Sequence, residues 1–122
     1  MYARAANAYR RVDLESAPRS QIVDRLFERF DRDVATARDA ITRRDISAKA
    51  SAIDHALQIV FELAASLDHN AAPELCGQLA SLYEFVTNQL AVASAKLSCE
   101  PIDHARRVMA ELADAFKQVH PR

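Results

Sequence analysis

Apolar residues recur every three or four positions through four long segments separated by short polar breaks, the spacing of amphipathic helices. In the first segment Ile22, Leu26, Phe30, Val34, Ala37 and Ile41 line one face, and Val23 and Phe27 broaden it. Asp24, Arg25, Glu28, Arg29, Arg32 and Asp39 fall on the solvent side, with Glu28 and Arg32 at i,i+4. Ser16-Ala17-Pro18 supplies the start of this helix, with a serine at the N-cap and a proline in the first turn. Arg43-Arg44-Asp45 marks the next boundary, because arginines suit a helix C-terminus and an aspartate suits an N-cap. A second helix over about 46–68 carries Ile46, Ala50, Ile53, Leu57, Val60, Ala64 and Leu67, and Asp68-His69-Asn70 ends it. Pro73 opens a third helix running to about Leu97, and Ser98 to Pro101 forms the next turn. The fourth, over about 101–119, carries Ile102, Ala105, Met109, Leu112, Phe116 and Val119. Four long helices with short connections predict an all-α fold, an antiparallel four-helix bundle over residues 16–120 as a single domain. In residues 1–15, Tyr9, Val12 and Leu14 stand among charges without a long helical face, which predicts a mobile N-terminal arm.

Helices 2 and 3 carry more apolar surface than one core face needs. In helix 3, Leu75, Leu79, Leu82, Val86, Leu90, Ala93 and Leu97 form the stripe, and Cys76 and Tyr83 widen it at one edge. Phe85 and Val92 stand roughly 80–100° away, seven residues apart. Helix 2 repeats the excess, with Ala52, Ala56, Ile59 and Leu63 on a line roughly 80–140° from its stripe. The two helices are predicted antiparallel neighbours, so the extra lines either flank one groove or point apart, and packing into a broad core is a third arrangement. Small Ala52 and Ala56 opposite Phe85 would make a shallow slot of the kind that accepts an amphipathic helix. Leu82, in the stripe, and Tyr83, at its edge, are counted with this candidate partner surface, although Tyr83 reads as core more than contact, with its hydroxyl reaching a polar neighbour or water. Phe85 is expected to make the main contact, with Val92, Ile59 and Leu63 next.

Composition narrows the alternatives. A single glycine, Gly77, and four prolines leave few residues for hairpin turns, which argues against an all-β fold. The formal net charge of −1, with no basic block, argues against nucleic-acid binding. Membrane insertion is not expected, since no apolar run approaches the roughly 18 residues that span a bilayer. The N-terminus has no apolar secretory core, so a cytoplasmic location is expected. Cys76 and Cys99 would stand about 34 Å apart along helix 3, too far for a disulfide or a shared zinc site. His55 could present a phospho-acceptor as phosphotransfer bundles do, but Lys49 lies six residues earlier and off its face. No His/Asp/Glu set has metal spacing, and Asp54-His55 lacks a nucleophile partner, so no enzyme activity, metal or cofactor is expected.

Several segments resemble one family in order. LASLYEFVTNQLAVAS resembles the LxxLYxYMxxRLxxAN stretch of the flagellar export chaperones of the FliS family. RRDISAKASAIDHALQIVFELAASLD resembles that family's second helix, NAYRRVDLESA its Ala-Tyr arm, and DAFKQV its Asp-Ala-Trp-Lys ending. The resemblance covers nearly the whole chain. It implies a cytoplasmic chaperone, not an enzyme, that binds the disordered C-terminal segment of flagellin. Such a chaperone prevents premature polymerisation and assists export, with components of the flagellar export apparatus as further partners. Tyr9 matches the family's arm tyrosine, and Tyr83 and Phe85 match its helix 3 aromatic pair. Arg43-Arg44 stands where the family usually has Gln- or Lys-Gly, and Asn88 and Gln89 stand where it often has two arginines. The alternative from another class is a helical adaptor for a different amphipathic helix.

Overall fold

The computed structural model describes residues 17–119, with side chains described over 21–118. The expected arm over 1–15, and Tyr9 with it, lies outside the described residues. The chain forms α1 (Ala17–Arg43), α2 (Ile46–Ala65), α3 (Pro73–Lys96) and α4 (Glu100–Val119). The described residues contain no strand.

Local chemistry explains the ends. The α1–α2 turn is a Schellman motif: the Asp45 N–H donates to Ala40 O at 2.9 Å and the Arg44 N–H to Ile41 O at 3.1 Å. Arg44 takes the left-handed conformation at φ 59°, and Asp45 then caps α2 by accepting from the Ala48 N–H at 3.1 Å. Pro73 begins α3, where its missing N–H leaves no intrahelical bond unmade. Between α2 and α3, the Asp68 carboxylate accepts from the Asn70 and Ala71 N–H groups, and its carbonyl accepts from the Cys76 thiol at 3.3 Å. Leu97, at φ 52°, closes α3.

The helices pack as a ring, α1 on α2, α2 on α3, α3 on α4 and α4 on α1, with both diagonals apart. Phe30, Val34, Val60, Leu63, Val86, Leu90, Ile102 and Leu112 are buried at its centre. The most extensive pairing is α1 with α2, and small residues explain it: Ala37 and Ala40 of α1 and Ala52 and Ala56 of α2 are all buried. Alanine at a crossing lets two backbones approach closely.

This seam corrects the reading of α2. Ala52, Ala56, Ile59 and Leu63 do not form an open second face; all four are core. They are turned inward because α1 presents its own alanines to that side of α2. The helix is thereby rotated by about 60° from its expected stripe. Ile46 becomes 51% exposed, Ala50 reaches the surface and Leu57 is only partly buried. In α3 the core stripe is Cys76, Leu79, Tyr83, Val86, Leu90 and Ala93, so Leu75, Leu82 and Leu97 become its partly buried edges. Two further expectations change in α1: Ile22 is 46% exposed, and Asp24 is buried rather than on the solvent side.

If the alanine seam sets the approach of α1 and α2, Ala56→Leu overpacks it. The variant should lose about 1–3 kcal/mol in urea unfolding, whereas a slot left open for a partner would tolerate it with no shift in midpoint. At the turn, Arg44→Gly removes the side-chain penalty of the left-handed conformation. It should raise stability by about 0.5–1 kcal/mol, and an unchanged or lowered midpoint would refute the strain.

Candidate partner-binding surface

Hydrogen bonds identify the two flanks of α3. Lys49 Nζ of α2 donates to Ser94 O at 3.2 Å and Ser94 Oγ at 3.1 Å, so the Ser94 side of α3 faces α2. Gln89 Oε1 lies 3.1 Å from His104 Nδ1 of α4, so the Gln89 side faces α4. Phe85 and Val92 stand within about 60° of Gln89 on the helix. They are 41% and 37% exposed, on the outer edge toward α4. Counting four residues from the Gln89–His104 contact in the antiparallel direction brings Phe85 level with Val108, which is partly buried. Leu82 continues this edge one turn earlier.

The opposite flank carries apolar surface that the sequence reading missed. The edge of α2 away from its α1 seam bears Ile46, Ala50, Leu57 and Phe61, and Phe61 is 57% exposed. Counting from the Lys49–Ser94 contact brings Phe61 level with Leu82. Across that seam α3 offers Ala80, Thr87 and Ala91, with Asp54 and Glu84 exposed at the rim. Phe61 and Phe85 therefore flank α3 at nearly one height. The available signal was Phe61 continuing Leu57 by one turn; it was obscured by the assumption that Leu57 faced the core.

The structure separates the expected partner residues. Leu82, Phe85 and Val92 share one flank of α3. Ala52, Ala56, Ile59 and Leu63 sit in the core against α1, so the two extra lines point apart. Tyr83 is buried in the core, which removes it from the partner surface, and its hydroxyl, expected to reach a polar neighbour, has no hydrogen-bond partner among the described residues. Burial keeps its phenol protonated well above the ordinary tyrosine range. His55 is exposed on the outside of α2. Among the described residues no group of three or more His, Cys, Asp or Glu could hold a metal ion. No helix of the described residues is long and apolar enough to cross a membrane. Both cysteines are free thiols; Cys76 is buried and Cys99 lies in the α3–α4 turn.

The α1–α4 side is polar by contrast. Arg106 grips Asp31 with two bonds at 2.6 and 3.0 Å, and Arg38 grips Asp103 at 2.9 and 3.2 Å. A cleft of about 530 Å³ opens beside the first pair, lined by Phe27, Phe30 and Met109 among charged residues. The hydrogen bonds from Arg38 hold the Asp103 carboxyl below the usual carboxylate range. A lowered folded-state value adds stability that is complete above the ordinary carboxylate pKa of about 4 and lost as pH falls through the folded value. The effect is small, since both side chains are more than a third exposed. Between about pH 5 and pH 3 the parent should lose melting temperature more steeply than Asp103→Asn; parallel curves would remove the pair's role.

The fold is that of an antiparallel four-helix bundle whose exposed large apolar side chains gather mainly beside α3, the build of a helical binding module. The whole chain, residues 1–122, matches the family described as flagellar protein FliS, and it belongs to that family of flagellar export chaperones. The flagellar secretion chaperone FliS of Salmonella typhimurium is 28% identical over 120 residues, covering 94% of this chain and 89% of that protein.

Proposed function

We propose that this protein acts in the cytoplasm as the chaperone of flagellin, holding its C-terminal segment until export. The observation that carries the reading is the exposure of Phe61, Phe85 and Val92 on the two flanks of α3, in a chain of the FliS family. A disordered segment pays an ordering entropy on binding, and it recovers that loss by burying apolar side chains on a preformed surface. The seams beside α3 supply such a surface: a helical turn of the client lies over Phe85 and Val108, and a second over Phe61 and the small residues of α3. Covering the client's apolar residues blocks the contacts that drive premature polymerisation. The chaperoned subunit is then delivered to the export apparatus.

Calorimetry with a flagellin C-terminal peptide tests this. Phe85→Asp should weaken binding by about tenfold or more, with helicity by circular dichroism unchanged because the side chain is exposed. Phe61→Asp should weaken it independently. Unaltered binding by both variants removes the client from these seams. Failure of the parent to bind the peptide, with binding of an unrelated amphipathic helix, leaves the adaptor reading instead.

A further inference from the structure

We propose that the outer face of α1 is a second docking surface, for an acidic helical segment of another protein, and that it stays accessible while α3 is occupied. Arg25, Arg29 and Arg32 are all exposed, and their i, i+4, i+7 spacing stacks them on successive turns over about 10 Å. None forms an ion pair with any described residue, whereas Arg38, Arg43 and Arg106 each hold an aspartate. Like charges at i,i+4 and i,i+3 repel and destabilise a helix. Glu28, four residues before Arg32, and Asp33, four residues after Arg29, offset part of that repulsion, and the guanidinium forks remain exposed to a partner. His55, on the outward flank of α2 nearest α1, adds an exposed imidazole beside the stripe. Exposed Ile22 adds an apolar contact one turn before Arg25.

The surroundings choose the occupant. Glu28 and Asp33 border the stripe on its two sides, and Glu62 borders it from α2. A continuous array of phosphates, on a membrane or a nucleic acid, would be pressed against these acids. Discrete carboxylates at helical spacing meet the guanidinium forks and avoid the flanking acids. A helix with glutamates at i, i+4 and i+7 and a leucine one turn beyond fits both the charges and Ile22. Because α1 and α3 lie on a diagonal of the ring, an occupant here leaves Phe61 and Phe85 uncovered. The placement does not rest on the identity of the client.

The test uses the full chain and a fluorescent helical peptide with that glutamate and leucine pattern, read by anisotropy. The parent should bind it, and raising salt from about 0.05 to 0.3 M should weaken binding several-fold. The triple variant Arg25→Gln, Arg29→Gln, Arg32→Gln should bind at least about tenfold more weakly, with helicity by circular dichroism unchanged because all three side chains are exposed. Arg107→Gln with Lys117→Gln, on α4, should bind as the parent does. The proposal is overturned by no binding to the parent, by equal binding of the triple variant, or by an equal loss in the α4 control. It is also overturned if phosphatidylglycerol vesicles or single-stranded RNA bind the stripe and the peptide does not compete.

Discussion

The contact on which the arrangement depends is the alanine seam between α1 and α2. Ala37 and Ala40 of α1 and Ala52 and Ala56 of α2 are all buried in the most extensive helix pairing, where small side chains let the two backbones approach closely and select one rotation of α2. Much of the rest follows from that rotation. With the alanine side of α2 turned to α1, Ile53 and Val60 point to the centre, and Ile46, Leu57 and Phe61 are carried to the outer edge beside α3. Larger residues at the seam would push the helices apart and allow α2 to turn its long side chains inward.

Polar contacts divide the bundle into unlike sides. Two arginine–aspartate forks join α1 to α4, whereas α2 and α3 are joined by a lysine at a helix carbonyl and α3 and α4 by a glutamine–histidine contact. Fork-shaped pairs fix orientation more strictly than single bonds do. The side of the ring around α1 is therefore closely specified and charged. The flanks of α3 keep apolar surface in contact with solvent.

Residue patterns made four helices, their order and most of their ends legible, because caps and periodicity act within one turn. Phe85 and Val92 were also legible, since each stands well off a stripe that must be buried. The same reasoning misassigned Ala52, Ala56, Ile59 and Leu63. Two apolar lines on one helix look alike in sequence, and only the partner helix decides which is inside. Phe61 was missed for the same reason: once Leu57 is placed in the core, its neighbour a turn later goes unnoticed.

Taken alone, the amino-acid sequence determined the helical segments, their antiparallel order and the resemblance to the flagellar chaperones. These depend on short-range spacing and on motif order, which a linear chain records directly. The tertiary structure decided the rotation of each helix about its axis, and through it which apolar residues form the core and which border α3. That rotation is set by side-chain volume at contacts between helices distant in sequence, and no single helix carries the information.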